Sequence, residues 1–159
     1  MKKNLAIVLF SLILSACSSS TKISQAINTN GAKAQSYSNI EISNSNTDAP
    51  DHFAQAVKSY LKLELKNKAL FTEESGNKVS VNISDYRMRS GFTRALFGVF
   101  AGKDGVDSEV VVTDVNGKVI GKSKVSSFNV MAIGDMQDIA RMHAEEIAEF
   151  LDNQARNKG

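Results

Sequence analysis

The feature that most constrains this chain is an uncharged apolar run near its N-terminus, from Leu5 to Leu14. The run follows Lys2 and Lys3 and ends shortly before Cys17, the one cysteine in the 159-residue sequence. A run of this length is too short to span a bilayer as a helix, but it suits the apolar part of a secretory signal peptide. We therefore predict that residues 1–16 are a signal peptide and contribute nothing to the fold.

The residues that end this run carry a second signal. The sequence Leu-Ser-Ala precedes Cys17, and this pattern resembles the lipobox of bacterial lipoproteins. The resemblance implies cleavage between Ala16 and Cys17, acyl chains such as palmitate on the cysteine, and a membrane as partner through those chains. Two or more acyl chains anchor a protein stably. Inner-membrane lipoproteins carry an aspartate where this chain has Ser18, so the resemblance favours the outer membrane, with the domain in the periplasm.

The charge of the mature chain gives no support to a nucleic-acid partner. The full sequence has 19 basic and 17 acidic residues, and Lys2 and Lys3 are the charged residues of the signal peptide. The mature chain therefore has 17 of each and no net formal charge, whereas nucleic-acid-binding domains are usually strongly basic. We expect no nucleic-acid partner.

The polar stretch after the cysteine predicts a linker, and the rest of the chain predicts one domain. Residues 18–36 are rich in Ser, Thr, Asn, Gln and Lys, so we predict a lipidated flexible tether over 17–36. Apolar periodicity then predicts a single globular periplasmic domain over 37–155, with the element order β-α-β-β-β-α. The fold class is a small two-layer α+β domain. Its mixed sheet has three to four or more strands, and both helices lie on one face.

Local patterns in this domain allow finer predictions. The alternation of apolar residues slips by one position after Ile83, which predicts a β-bulge near Asp85. Asn116-Gly117 predicts a hairpin turn, because both residues tolerate positive φ. Small residues from Gly121 to Val125 suggest that another segment packs closely on that strand. The side chains predicted to be buried are Val81, Ile83, Val111, Ile139 and Ile147.

The most unusual segment, residues 91–102, alternates glycine with large apolar side chains. Its candidate contact residues for a partner or a membrane are Phe92, Arg94, Leu96, Phe97 and Phe100. One interpretation is an exposed apolar patch that meets another protein or a lipid surface. The alternative is a buried connection, since apolar side chains usually belong to the core.

The sequence shows no pattern that predicts catalysis, a cofactor or a metal. His143 lies on the apolar stripe of the last helix, which favours a hydrogen-bonded core histidine. With Glu146 it could instead supply two metal ligands, but no third ligand is spaced to join them. No Gly-x-Ser-x-Gly elbow or Ser/His/Asp arrangement is recognisable. We therefore predict a protein without a metal or cofactor that is not an enzyme.

The domain as a whole resembles a family of bacterial lipoproteins defined only by a domain of unknown function, of the 4410 type. The residues that carry this resemblance are the Arg/Phe/Gly segment from Arg94 to Gly102, the strand Val110 to Val112, the hairpin Asp114 to Ile120 and the closing helix Asp135 to Leu151. The element order is also similar to the periplasmic domains of penicillin-binding-protein activator lipoproteins and of the curli secretion lipoprotein. That second likeness concerns fold and brings no function.

These features predict a non-catalytic, lipid-anchored cell-envelope lipoprotein whose domain binds another envelope component. The first alternative is a subunit of an oligomeric secretion or pore assembly, in which the domain associates with copies of itself. The second alternative is a cell-wall-modifying enzyme.

Overall fold

The computed structural model describes residues 17–28, 36–45, 48–89, 104–129 and 135–156. Within these residues the chain forms five strands and two helices. The strands are β1 (Cys17–Gln25), β2 (Tyr37–Asn44), β3 (Asn77–Arg87), β4 (Asp104–Thr113) and β5 (Val119–Asn129). The helices are α1 (Asp51–Asn67) and α2 (Met136–Arg156).

The five strands form one mixed sheet in the order β1-β5-β4-β3-β2. β2 and β3 run parallel, and every other neighbouring pair is antiparallel. Parallel strands need a crossover rather than a tight turn, and α1 supplies it between β2 and β3. Both helices cover the same face of the sheet, so the predicted two-layer α+β domain is confirmed.

The core lies between this face and the helices because apolar side chains alternate along the strands. On β3, Val79, Val81 and Ile83 are buried. The register with β4 then shifts between Ile83 and Asp85. The shift returns Tyr86 to the core side, where its ring lies 4.7 Å from that of Phe53. The predicted β-bulge is thereby confirmed.

Two further local predictions are confirmed. Gly117 has φ +80° in the turn between β4 and β5, and the Asp114 carboxylate accepts hydrogen bonds from the backbone N–H groups of Asn116 and Lys118. The close packing expected on β5 also exists, since Ile27 lies directly against Gly121. A Cβ atom added at Gly121 would stand 2.5 Å from Ile27 Cγ1.

The predicted tether over residues 17–36 is wrong for its first part. Cys17–Gln25 is a strand that pairs with β5, and Ile27 is fully buried. Within the described residues, the folded domain therefore begins at Cys17 rather than at residue 37, and the element order gains a strand at its start. Residues 29–35 lie outside the described residues, as do residues 1–16, for which the signal peptide stays a prediction.

One predicted core position is also wrong. Val111 is only partly buried, because it lies on the open face of the sheet while Val110 and Val112 face the helices. The other side chains predicted to be buried are in the core, namely Val81, Ile83, Ile139 and Ile147.

Candidate functional site

Cys17 lies at one end of the sheet, where several chain segments meet. Across the strands, Cys17 pairs in register with Asn129, and Asn129 pairs with Asp104. β3 ends at this same end, since Arg87 pairs with Gly105. Arg89, Asp104 and Asn129 therefore lie at the Cys17 end of the sheet. They are the described residues next to segment 90–103 and before segment 130–134.

A buried ion pair joins Arg89 and Asp104, the two described residues that flank segment 90–103. The Arg89 side chain donates two hydrogen bonds to the Asp104 carboxylate, from Nε at 3.0 Å and from Nη2 at 3.1 Å. The backbone N–H of Arg89 donates a third, at 2.8 Å, and its guanidinium also reaches the Asn129 carbonyl oxygen at 3.3 Å. The side chains of Arg89 and Asp104 are 6% and 2% exposed. Such a pair persists because geometry and extra hydrogen bonds offset the cost of desolvation.

A chain of polar side chains, partly buried at Ser19 and buried beyond it, runs from this end into the helix layer. Ser19 Oγ donates to Ser127 Oγ at 2.9 Å, and Ser127 Oγ lies 3.0 Å from His143 Nδ1. The other ring nitrogen, Nε2, lies 2.6 Å from Ser108 Oγ. The chain thus joins β1, β5, β4 and α2, and it confirms that His143 is a hydrogen-bonded core histidine.

The environment of His143 keeps its imidazole neutral. Burial lowers the pKa of His143 from 6.5 to about 4, and the Asp107 carboxylate opposes this shift only in part. A neutral ring donates through one nitrogen and accepts through the other, which matches its two serine neighbours. The Ser108–His143 distance would suit a nucleophile and its base. However, His143 is fully buried and Ser108 is 2% exposed, so this pair gives a substrate no access.

The sequence-predicted site residues fall into two groups. Cys17, the predicted lipidation site, is described and opens β1. Ala16 and the candidate contact residues of segment 91–102 lie outside the described residues. These contact residues are Phe92, Arg94, Leu96, Phe97 and Phe100.

Sequence reasoning missed the Arg89–Asp104 pair and the polar chain. In the sequence, Arg89 reads as one of several basic residues near segment 91–102, which could meet anionic lipid or lie on a solvated strand face. Its buried partner Asp104 is 15 positions away. The signal that could have found the pair is the placement of opposite charges at the two ends of one apolar segment.

Two features of the described residues bear on other functions. Among residues 17–28, 36–45, 48–89, 104–129 and 135–156, no group of three His, Cys, Asp or Glu side chains is placed to hold a metal ion. In the same ranges, neither helix is both long and apolar enough to cross a bilayer. Glu146 does not join His143, because its Oε1 accepts a hydrogen bond from Thr21 Oγ1 at 2.6 Å.

Comparison with known proteins gives one family and one fold. The family described as "Domain of unknown function (DUF4410)" matches residues 20–132, which confirms the resemblance found in the sequence. A comparison with curated proteins finds no match.

Two similar solved structures are dodecamers of PelC from Paraburkholderia phytofirmans. A point-mutant dodecamer has a TM-score of 0.60 and 16% identity, and the match covers 88% of this chain and 98% of the PelC chain. A second dodecamer has a TM-score of 0.63 and 15% identity, covering 87% of this chain and 100% of the PelC chain. A minor lipoprotein from Acinetobacter baumannii is also similar, at a TM-score of 0.34, 10% identity and coverage of 77% and 95%. At these identities the PelC matches establish a shared fold.

Proposed function

The chain belongs to the family defined by the Domain of unknown function (DUF4410), and from that premise we propose that it is a lipid-anchored, non-catalytic subunit of an oligomeric assembly on a bacterial envelope membrane. The observation that carries this proposal is the position of Cys17. The residue that would bear the lipid is the first residue of a strand in the sheet, so the acyl chains would be attached to the folded domain itself.

This attachment sets how the domain would lie on the membrane. Without a linker between Cys17 and β1, the Cys17 end of the sheet is held at the lipid surface. The same end carries Arg89 and Asp104, at the two sides of segment 90–103, and Asn129, the last described residue before 130–134. Both segments are rich in large apolar residues, including Phe92, Leu96 and Val-Met-Ala-Ile over 130–133. Apolar sequence next to an acylated cysteine supports contact with the bilayer or with a partner embedded in it.

Two observations support a structural rather than a catalytic role. His143 and the two serines that contact it, Ser108 and Ser127, are closed to solvent. The PelC chains that share this fold assemble as dodecamers, and almost their whole length is matched. We extend that mode of action to this chain as a proposal, with the outer membrane as its location because Ser18 follows the cysteine.

The test uses the full-length precursor expressed in bacterial cells. Wild-type protein should incorporate labelled fatty acid and sediment with membranes, whereas Cys17→Ala should do neither. In mild detergent, light scattering should give a protein mass that rises with concentration to a multiple of the 143-residue mature chain. A soluble, unlabelled wild type would contradict the anchor.

A constant monomer mass at every concentration would contradict the assembly. If a crosslinking pull-down from intact cells then captured a different envelope protein, the chain would instead be a binding domain for that protein. Release of fragments from purified peptidoglycan by the wild-type chain would contradict the non-catalytic role.

A further inference from the structure

We propose that the two edges of the sheet are the two halves of one head-to-tail interface between copies of this chain. In this interface, β1 and α2 of one copy meet β2 and α1 of the next. The inference rests on the proposed function, because it names the surface through which the assembly forms.

The helix side of the β1 edge is acidic, whereas Lys22 lies on the open face of the strand. β1 and α2 enclose a groove of about 270 Å³ whose lining includes Thr21, Ile23, Glu146, Glu149 and Phe150. Within the described ranges neither Glu146 nor Glu149 has an ion-pair partner. Ile23 stands beside them with 47% of its surface exposed. This edge therefore suits a partner that is basic and partly apolar.

The β2 edge has the complementary character. A groove of about 200 Å³ lies there between the strand and α1, and its lining includes Asn39, Lys58, Lys62 and Phe71. Lys62 and Lys66 share one acidic neighbour, Glu73, at 3.6 Å each. Lys62 also lies 4.6 Å from the centre of the Phe71 ring. Glu41 on β2 is paired with Lys78 at 2.6 Å and also lies near Lys58. Glu41 and Glu73 are therefore outnumbered by Lys58, Lys62, Lys66 and Lys78, so this edge is basic and partly aromatic.

Strand direction allows these edges to join. β1 and β2 lie at opposite edges of the sheet and run in opposite directions, as the pairings through β5, β4 and β3 require. A second copy in the same orientation would therefore bring its β1 antiparallel to β2 of the first. Addition of a strand to an exposed edge is a common mode of association. Within the described residues, β1 forms one edge of the sheet and β2 the other. Tyr37, the first residue of β2, is already bridged to Phe71, so the part of β2 beyond this bridge is the edge that a neighbouring strand would join.

The position of Cys17 favours this arrangement over a symmetric one. Antiparallel pairing of two β1 strands would place their Cys17 residues at opposite ends of the pair, which a single membrane cannot accommodate. Head-to-tail pairing keeps every Cys17 at the same end. Repeated head-to-tail contacts close into a ring when the rotation between copies permits it. The partner that fits both edges is a second copy of this chain.

The first test is a charge exchange. Lys58 and Glu149 are both exposed on helices, so Lys58→Glu and Glu149→Lys should leave the fold intact. Each single substitution places like charges across the interface and should raise the concentration needed for assembly by about tenfold or more. The double variant restores opposite charges and should regain most of the wild-type assembly. Protein mass is measured in mild detergent on the lipidated full-length chain, and unchanged thermal melting confirms folding.

The control is Lys122→Glu, which makes the same charge change on the open face of β5 and should not alter assembly. If the wild type stays monomeric at all concentrations, the proposed function fails and this inference falls with it. If the wild type assembles and both single reversals assemble equally well, the proposed function stands and the interface inference alone is overturned.

A second measurement separates head-to-tail from symmetric pairing. Ile23→Cys places a thiol on β1, and the native Cys17 is acylated. Under oxidising conditions in native membranes, the head-to-tail interface predicts no disulfide-linked dimer from this variant, because each introduced thiol faces the β2 edge of its neighbour. Ile23→Cys combined with Lys58→Cys should instead give a ladder of linked species, because both positions line the grooves on the helix side of the two edges. Efficient dimers from the single variant would overturn the proposal.

Discussion

His143 shows what a single side chain does for this domain. Its ring links Ser108 on β4 to Ser127 on β5 from a fully buried position on α2. A neutral imidazole satisfies both hydroxyl groups, whereas an imidazolium would be a buried charge with two donors. The neutral form of His143 therefore links α2 to the sheet through hydrogen bonds.

This makes the stability of the domain depend on pH. The pKa of His143 falls from 6.5 to about 4 on burial, so between these values the unfolded chain binds the proton more readily than the folded one. The free energy of unfolding contributed by the neutral ring is complete above pH 6.5 and is lost as the pH falls towards 4. The loss should be on the order of 3 kcal/mol.

Urea unfolding followed by circular dichroism from pH 7.5 to 4 checks this prediction. In His143→Gln, an amide replaces the titrating ring. The variant should be less stable at neutral pH but should lose less stability between pH 6.5 and 4 than the wild type. Parallel curves for the two proteins would show that the histidine does not cause the dependence.

Strand β1 is the element whose structure differs most from the prediction made from the sequence. Its nine residues, Cys17–Gln25, contain one large apolar side chain, Ile23. The strand is stabilised by backbone pairing with β5, about 100 positions away in the sequence, and by polar contacts such as Thr21 with Glu146. Local composition therefore indicates a flexible linker, because no residue close in sequence indicates that this stretch pairs with β5 or contacts Glu146.

In contrast to β1, the bulge after Ile83 and the Asn116-Gly117 turn depend on local sequence. Each is set by a pattern within a few residues, namely a slip in alternation and a residue able to adopt positive φ. Both were predictable for that reason. The Arg89–Asp104 pair was harder to predict. Opposite charges at the two ends of an apolar segment are a signal for it, but no residue close to either one indicates that the pair is buried.

The attachment of β1 to the domain can be tested at Gly121. A methyl group there would stand 2.5 Å from Ile27 Cγ1 and 3.2 Å from Ile27 Cα. Gly121→Ala should therefore displace Ile27 and cost about 1–3 kcal/mol in the free energy of unfolding. Urea denaturation measures the loss.

A matched control lies two residues along the same strand. Among the described residues, Ser123 Oγ is buried without a hydrogen-bond partner, so Ser123→Ala removes an unsatisfied group. It should leave stability unchanged or raise it by about 1 kcal/mol. Gly121→Ala as stable as Ser123→Ala would indicate that residues 26–28 do not pack on β5.

At the scale of the whole molecule, the domain has two different ends. The Cys17 end carries the predicted lipid site and the buried Arg89–Asp104 pair, whose two residues flank segment 90–103. The opposite end carries the β4–β5 turn, where Val115 is 63% exposed. A lipid anchor at Cys17 would place that end at the membrane and the β4–β5 turn away from it. The same kind of substitution should therefore have different effects at the two ends.

Phe97 belongs to the first of these ends by sequence and lies outside the described residues, so its role stays a prediction. If segment 91–102 meets lipid or a partner chain, Phe97→Asp should leave thermal melting almost unchanged while weakening assembly or membrane contact. Burial of one such aromatic side chain contributes roughly 1.5–3 kcal/mol, so its loss should shift association by about tenfold to a hundredfold. Val115→Asp makes the same kind of change at the far end and should affect neither property. If Phe97→Asp lowers the melting temperature sharply, the segment belongs to the core, because a buried unpaired charge destabilises a fold.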